Sequence, residues 1–258
     1  RRIPGKEEFA ETLRYFGTRL KELKVDVQLN RRVNVDKLGT DFQGYDHVVV
    51  ATGIVPRRPA IPGIEHPKVT SYIDLIEGRK PAGRKVAVIG AGGIGFDVAE
   101  LLTNAEAHGD SIDTYRKEWG IDPEYQNQRG GLTAPQMPAT PREVWLLQRK
   151  TSKVGDGLAK TTGWARRLLL QKRGVHFQGG VDYLKIDDAG LHIAIDGKPS
   201  VLDVDTIVIC AGQEPRRELV AGLEAAGIAY TLVGGADVAV ELDAKRAIWQ
   251  ATEFAVEY

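Results

Sequence analysis

The stretch of sequence that decides the fold is RKVAVIGAGGIGFD, which runs from Arg84 to Asp97. A short apolar run leads into Gly90, Gly92 and Gly95, and an apolar helical pattern follows. In such a strand–turn–helix unit the first glycine permits a tight turn, the second lets a pyrophosphate approach the backbone, and the third lets the helix pack on the strand. The helix N-terminus adds free amides and a positive dipole end. The stretch therefore predicts a dinucleotide-binding turn, and a purely structural glycine turn is the alternative.

Strands and helices alternate around this turn, and such alternation predicts an α/β fold with a parallel sheet and crossover helices. Residues 104–141 interrupt the pattern without a clear period, which predicts a contact surface or a lid. The predicted elements are a strand at Lys85–Ile89, a helix at Gly93–Leu102, a strand at Val144–Gln148, a helix at Trp164–Lys172, and strands at Val181–Ile186, Leu191–Ile195 and Thr206–Cys210.

The flanking segments repeat the α/β pattern less completely. Four prolines between Pro56 and Pro67 predict a linker rather than a helix or central strand. The chain is predicted to pass between two domains at this linker and to return near Ala211–Pro215. The central domain would therefore be inserted into an outer one. The outer elements are predicted as a helix at Lys6–Leu23, strands at Val25–Leu29, Tyr45–Gly53 and Tyr230–Asp237, and a helix at 243–256.

The strand at Val144–Gln148 ends in cations, where an NAD-binding protein would place a carboxylate for the ribose hydroxyls. Arg149 and Lys150 follow it, and Lys153 lies close behind. Cations suit a 2′-phosphate, so we predict NADPH as the nucleotide, with a solvated basic turn as the alternative. Arg149 lies 54 residues beyond Gly95, more than the usual ~20, and the irregular segment accounts for the excess.

Two outer strands end in glycine-containing turns that suit a flavin. Thr52 and Gly53 follow the first strand, and Gly235 and Asp237 follow the late one. The Asp237 carboxylate is predicted to accept hydrogen bonds from ribityl hydroxyls, and a turn or capping aspartate is the alternative. The complete set of predicted cofactor-binding residues is Gly90, Gly92, Gly93, Gly95, Arg149, Lys150, Gly212, Thr52, Gly53, Gly235 and Asp237.

These assignments divide the chain into three parts. Residues 83–213 are predicted to form an NADPH-binding, Rossmann-like domain. It is inserted in a partial FAD-binding, Rossmann-like domain made of residues 1–56 and 214–258. Residues 57–82 are predicted to form the linker between them. No catalytic residue and no metal ligand set is assigned to this chain.

Composition excludes several classes of function. Lys and Arg number 35 and so do Asp and Glu, so the formal net charge is zero and no basic field attracts nucleic acid. No apolar run approaches the ~20 residues needed to cross a membrane, and a cytoplasmic location is the default expectation. Cys210 is the single cysteine, which excludes a disulfide or an iron–sulfur cluster built from this chain's own cysteines.

The sequence resembles the two-dinucleotide-binding flavoproteins, and among them the C-terminal part of the bacterial NADPH-dependent 2,4-dienoyl-CoA reductase family. The resemblance covers essentially the whole chain. The stretches that carry it are Ile3–Phe9, Thr52–Arg57, Gly90–Asp97, Leu147–Lys150, Gly157–Trp164, Cys210–Pro215 and Glu241–Ala247.

The resemblance implies a role in the β-oxidation of unsaturated fatty acids. NADPH would reduce FAD on this chain, and electrons would pass through a 4Fe-4S cluster to FMN, which reduces the small-molecule dienoyl-CoA substrate. The barrel with FMN, the cluster cysteines and the first FAD glycine motif are expected upstream of Arg1.

Three alternative functions can be weighed from the sequence. A disulfide oxidoreductase of the same architecture needs a redox-active cysteine pair, which a lone Cys210 cannot form. A related enoate reductase or amine dehydrogenase shares the architecture, and the cations at Arg149 and Lys150 count against the amine dehydrogenases. A nucleotide-binding interaction module without activity is the third alternative.

Overall fold

A computed structural model describes residues 2–104, 111–126, 129–240 and 243–258. The chain divides into two compact units, one formed by Arg1–Arg19 and Arg58–Ala211, the other by Leu20–Arg57 and Gly212–Tyr258. Residues 58–211 of the first unit therefore interrupt the second along the chain, and residues 20–57 of the second separate the two parts of the first. Glu241 and Leu242, which belong to the motif at Glu241–Ala247, lie outside the described residues.

The described residues form helices, strands and two 3-10 turns. The helices are α1 Phe9–Glu22, α2 Leu38–Asp41, α3 Tyr72–Ile76, α4 Gly93–Thr103, α5 Ile112–Trp119, α6 Gly163–Lys172, α7 Val220–Ala225 and α8 Ala244–Glu257. The strands are β1 Val48–Val50, β2 Ile54–Pro56, β3 Val69–Ser71, β4 Lys85–Ile89, β5 Glu143–Leu147, β6 His176–Gln178, β7 Val181–Asp187, β8 Gly190–Ile195, β9 Lys198–Leu202, β10 Thr206–Ile209, β11 Gln213–Pro215 and β12 Tyr230–Leu232. The 3-10 turns are Val35–Lys37 and Gly234–Ala236.

The first unit is built on a five-stranded parallel sheet. Its strands lie in the order β3-β10-β4-β5-β6, and every neighbouring pair is parallel. Strand β4 is central, with Val86 aligned with Thr206 on one side and with Val144 on the other. This arrangement confirms the predicted α/β fold with a parallel sheet.

Both faces of this sheet are buried, as a parallel sheet requires. Successive side chains of a strand point to opposite faces, and β4 divides its residues accordingly. Val86 and Val88 pack with residues of α3, α4 and α6 in one core, the helix-side core. Ala87 and Ile89 pack in the other core, against residues of the antiparallel sheet β7-β8-β9. The unit is therefore a three-layer sandwich of helices, parallel sheet and antiparallel sheet.

Three parts of the first unit differ from the sequence-based expectation. Residues 57–82, expected to be a linker, contribute β3 at the edge of the parallel sheet and the helix α3, which Ser71 caps by accepting from the Asp74 backbone amide at 3.0 Å. Strand β9 extends the predicted strand pair to three strands. The segment 104–141, expected to be irregular, contains α5 in its described part.

A buried ion pair ties α5 to the end of α6. Arg173 Nη2 lies 2.8 Å from Glu118 Oε1, and the two side chains are 1% and 3% exposed. Two charges buried at this depth are stable only as a hydrogen-bonded pair. The pair therefore fixes part of the segment 104–141 against the α/β core.

The second unit has two small sheets. Strands β1 and β12 are parallel, with Val48 opposite Tyr230, and β2 pairs antiparallel with β11. Leu38, Val48, Val50, Leu223 and Ala236 form its core. The strand predicted at residues 25–29 is wrong, because in the described part of the chain no neighbouring strand pairs with this segment.

The other predicted elements of the second unit are present but shorter or shifted. The strands β1 and β12 hold three residues each, and α8 begins after Asp243, whose side chain accepts from the Arg246 backbone amide at 2.7 Å. None of the described helices combines the length and the apolar character that a membrane crossing requires.

Candidate functional site

The glycine turn joins β4 to α4 and has the geometry expected of a dinucleotide-binding turn. Gly90 has φ +112°, and a Cβ on it would lie 2.3 Å from the Cys210 carbonyl oxygen. A Cβ on Gly95 would lie 1.9 Å from the Gly90 carbonyl oxygen. Both positions are therefore closed to any larger residue unless the backbone shifts.

Gly92 and Gly93 differ from the other two glycines because they face open space. A Cβ on either would meet no atom within 4 Å, and Gly92 is the N-cap of α4 with φ −83°, which every residue type adopts. Packing in the chain therefore does not require glycine at position 92. A bare backbone at a helix N-terminus is the feature that a pyrophosphate uses.

Two carboxylates that the sequence analysis did not single out follow the turn on α4. Asp97 Oδ2 lies 2.7 Å from Lys6 Nζ, and its other oxygen pairs with Arg166. Arg166 Nη2 also lies 3.2 Å from Glu100 Oε2. Burial raises the pKa of Glu100 above its ordinary value, while Arg166 acts in the opposite direction. The acids spaced three residues apart in GFDVAE are the sequence signal that indicates this cluster.

Arg149 and Lys150, the residues predicted to favour the 2′-phosphate of NADPH, follow β5 and are exposed. The Gln148 amide shapes their loop, because its Nε2 donates to the carbonyl oxygens of Lys150 at 3.0 Å and Ser152 at 2.6 Å. Arg149 acts electrostatically on Tyr183, whose pKa burial raises. The two hydrogen bonds of Gln148 therefore stabilise the loop at the carboxyl end of β5.

A cavity of about 450 Å³ opens beside this loop. Arg149 and Lys150 are not among the residues that line it, whereas Lys153 and Arg167 are. Local sequence patterns indicate Lys153 but not Arg167, because Arg167 lies on α6 and comes beside the loop only in the folded chain. The lining residues are Thr151, Ser152, Lys153, Val154, Arg167, Gln171, Phe177, Gln178, Gly179, Gly180, Ile195 and Asp196.

The second unit has a mostly apolar cavity of about 530 Å³ at the start of α8. Of the predicted flavin residues, Gly53 and Gly235 line it, and Thr52 and Asp237 do not. Gly53 has φ +77°, and its carbonyl oxygen accepts from the Arg216 amide at 3.0 Å. The lining residues are Ala51, Gly53, Val233, Gly234, Gly235, Asp243, Ala244, Ala247, Ile248 and Ala251.

The polar groups of Thr52 and Asp237 bond within the second unit. Thr52 Oγ1 donates to the Arg216 carbonyl oxygen at 2.5 Å. Asp237 Oδ2 accepts from Gln250 Nε2 at 2.7 Å, and Gln250 Oε1 accepts from the Gly234 amide at 2.7 Å. Gln250, which the sequence analysis missed, therefore holds the glycine turn and Asp237 to α8.

Gly212 and Cys210 lie on either side of the division between the units. Gly212, predicted to bind a cofactor, belongs to the second unit, has φ +102°, and its carbonyl oxygen accepts from the Arg57 amide at 3.0 Å. Cys210 belongs to the first unit and is buried, and that burial raises the pKa of its thiol. A buried thiol with a raised pKa is a structural residue rather than a nucleophile.

The sequence profile of the pyridine nucleotide-disulphide oxidoreductase family matches residues 7–250. The chain therefore belongs to this family of oxidoreductases. Its single cysteine cannot supply both sulfurs of a redox disulfide, so the disulfide chemistry in the family's name does not transfer to this chain's own residues.

Among curated proteins, the chain is similar to a metal reductase of Desulforamulus reducens. The two are 24% identical over 267 residues, which cover 99% of this chain and 37% of the reductase. A bilirubin reductase of Mediterraneibacter gnavus is 33% identical over 99 residues, which cover 38% of this chain and 15% of that protein. The chain thus spans a minor part of the relatives it matches.

Among solved structures, the fold is similar to that of a 2-naphthoyl-CoA reductase in complex with 2-naphthoyl-CoA. The TM-score is 0.74 at 22% identity, over 97% of this chain and 32% of the reductase. Histamine dehydrogenase of Rhizobium sp. 4-9 gives a TM-score of 0.71 at 17% identity, over 99% of this chain and 37% of that enzyme. At these identities the similarity shows the fold.

Proposed function

We propose that this member of the pyridine nucleotide-disulphide oxidoreductase family is the NADPH-binding, flavin-reducing part of a larger reductase. The observation that carries the proposal is the open backbone at Gly92, the N-cap of α4 in a turn where Gly90 and Gly95 are closed to larger residues. Packing within the chain explains why positions 90 and 95 are glycine, and a bound pyrophosphate would explain why position 92 is glycine.

NADPH rather than NADH is proposed as the nucleotide because of the charges at the end of β5. Arg149, Lys150 and Lys153 follow the strand, and residues 148–153 include no carboxylate that could bind the ribose diol. The Gln148 amide is already committed to two backbone carbonyls of the loop. Nearby cations favour a 2′-phosphate over a ribose diol.

FAD is proposed as the electron acceptor of the second unit. The apolar cavity lined by Gly53 and Gly235 fits an aromatic ring system, and the N-terminus of α8 borders it through Asp243 and Ala244. When bound, FAD supplies a two-electron acceptor for the reduced nicotinamide. The role of this chain's residues is to bind and orient the two cofactors, and Thr52, Asp237 and Gly212 are proposed to lie at their edges.

The substrate class proposed for the whole protein is the 2,4-dienoyl-CoA thioesters of unsaturated fatty acid β-oxidation. Its support is the sequence resemblance that covers the chain. FMN and a 4Fe-4S cluster would then be carried by the part of the protein outside this chain. We expect this chain alone, supplied with NADPH, to leave 2,4-dienoyl-CoA unchanged, and turnover by the isolated chain would contradict this.

Calorimetric titration of the purified chain with NADP⁺ and with NAD⁺ tests the proposal. We expect measurable affinity for both nucleotides and tighter binding of NADP⁺ that weakens with added salt, because exposed phosphate contacts are screened. Binding of neither nucleotide would overturn the proposal and favour an interaction module. Equal affinities would retain the glycine turn as a nucleotide site and overturn the choice of NADPH.

A further inference from the structure

The cavity beside the loop after β5 brings together two cations from different elements. Lys153 comes from the loop, and Arg167 comes from α6. We propose that Arg167 determines the preference for a 2′-phosphorylated nucleotide, by binding the 2′-phosphate from the helix side while Lys153 binds it from the loop. This inference rests on the proposed function, since it assigns a residue to the nucleotide site proposed there.

Arg167 has the properties of a binding residue rather than of a solvated surface cation. The side chain is half-buried, and its Nε–H is buried without a hydrogen-bond partner in the part of the chain that the structure describes. A buried donor without an acceptor costs free energy, so a site that keeps one usually gains an acceptor from a ligand or from water. A phosphate offers several acceptor oxygens to an arginine fork.

Helix α6 is anchored firmly enough to present Arg167 in one place. The neighbouring Arg166 pairs with Asp97 and Glu100 on α4, and Leu170 is fully buried in the helix-side core. The two arginines therefore have different roles, because Arg166 joins α6 to α4 and Arg167 faces the cavity.

The loop that carries Lys153 is fixed as well. Val154 is buried in the helix-side core, and a Cβ on Gly155 would lie 2.5 Å from the Phe96 ring. On the opposite side of the loop, a Cβ on Gly179 would lie 3.0 Å from the Lys150 carbonyl oxygen. Close packing of these neighbours fixes the loop backbone at Lys153, whose side chain is exposed, so binding pays no cost for ordering the loop itself.

The charge in the cavity favours an anion. Lys153 and Arg167 carry positive charge, and Asp196 is the one acidic side chain among the described residues that line the cavity. Thr151 and Ser152 add hydroxyl donors at the same loop. The lining therefore carries a net positive charge beside neutral hydrogen-bond donors, although the chain as a whole is neutral.

The test uses adenosine 2′,5′-bisphosphate and 5′-AMP as probes, alongside NADP⁺ and NAD⁺, in titrations of the purified chain. We expect Arg167→Gln to weaken adenosine 2′,5′-bisphosphate and NADP⁺ binding about 5- to 30-fold, while 5′-AMP and NAD⁺ change less than about twofold. Arg129→Gln is the matched control, because Arg129 is an exposed arginine outside the cavity and its loss changes the net charge equally.

Two further variants keep the test decisive if Arg167→Gln unfolds. Arg167→Lys retains the charge but loses the fork, and it should keep part of the preference for the 2′-phosphate. Lys153→Gln changes an exposed side chain and should lower the same preference without loss of stability. Circular dichroism melting curves show which variants fold.

Each outcome separates this inference from the proposed function. If the parent chain prefers NADP⁺ and folded Arg167→Gln retains the full preference, Arg167 has no such role, although the chain remains an NADPH-binding protein. Equal weakening of all four ligands, or equal effects of Arg129→Gln, would also overturn the inference. If the parent chain binds none of the four, the proposed function itself fails.

Discussion

Replacing Gly92 or Gly95 by alanine adds the same methyl group to the same turn, and the two variants are predicted to fail in different ways. At Gly92 the methyl group meets no atom within 4 Å and the backbone angle is unrestricted, so the fold should keep its stability. At Gly95 the methyl group would lie 1.9 Å from the Gly90 carbonyl oxygen. The contrast tests whether the open position is reserved for a ligand.

For Gly92→Ala the expected loss is in nucleotide binding. A methyl group in front of the helix N-terminus keeps the pyrophosphate from at least one backbone amide. A hydrogen bond to a charged group contributes about 1.5–3 kcal/mol. The affinity for NADP⁺ should therefore fall roughly 10- to 150-fold. The affinity for NAD⁺ should fall by the same factor, because the two nucleotides share the pyrophosphate.

For Gly95→Ala the expected loss is in stability. The backbone of α4 has to move away from the Gly90 carbonyl by more than 1 Å to accept the methyl group, since carbon and oxygen do not approach closer than about 3 Å. Overpacking of a tight core contact costs about 1–3 kcal/mol. The melting temperature should fall by roughly 2–10 °C.

Thermal melting and calorimetric titration of both variants and the parent give the two readouts. If folded Gly92→Ala binds both nucleotides as tightly as the parent, no ligand occupies the open space at this position. If Gly92→Ala melts as far below the parent as Gly95→Ala does, glycine at position 92 serves packing rather than a ligand.

Three further predictions concern charged groups. Replacing Arg149 and Lys150 together by Ala should lower the preference for NADP⁺ over NAD⁺ only about fivefold in titrations, because each exposed contact contributes roughly 0.5 kcal/mol. Arg173→Met should lower the free energy of unfolding in urea by roughly 3–5 kcal/mol, because it leaves Glu118 buried without its cation, and an unchanged value would contradict this. Burial raises the pKa of Glu100, so the parent loses stability as the pH rises above the ordinary value of 4.5 and the carboxyl group ionises. The stability of Glu100→Gln relative to the parent should therefore increase between pH 4 and 7, measured by urea unfolding. A relative stability that decreases over this range would count against the raised pKa.

The sequence predicts the fold best where a strand is buried on both faces. The apolar run at Lys85–Ile89 and the glycines that follow leave few alternatives to a central parallel strand and a turn. Strand β3 escaped prediction because it lies at a sheet edge among prolines, and its place depends on pairing with the distant β10. The strand expected at residues 25–29 has strand-like residues but no neighbour to pair with in the described part of the chain.

The parts of the candidate site that could be predicted are those whose residues lie close together in the sequence. The glycine turn and the loop after β5 are each continuous in sequence, and local patterns indicate them. The cavity beside that loop also needs Arg167 from α6 and Asp196 from the β8–β9 hairpin. Periodicity places Arg167 on a helix but does not say which way it faces, and only the fold brings it beside Lys153.

A neutral chain binds a nucleotide that carries several negative charges only if its own carboxylates near the site are compensated. Asp97 and Glu100 follow the glycine turn on the same helix, and unpaired they would repel the pyrophosphate. Lys6 and Arg166 pair with them, which leaves the amides and dipole of the helix N-terminus as the uncompensated positive field at the turn. We therefore expect anion binding at the proposed nucleotide site to depend on where charges are paired, a property that the net charge of zero does not reveal.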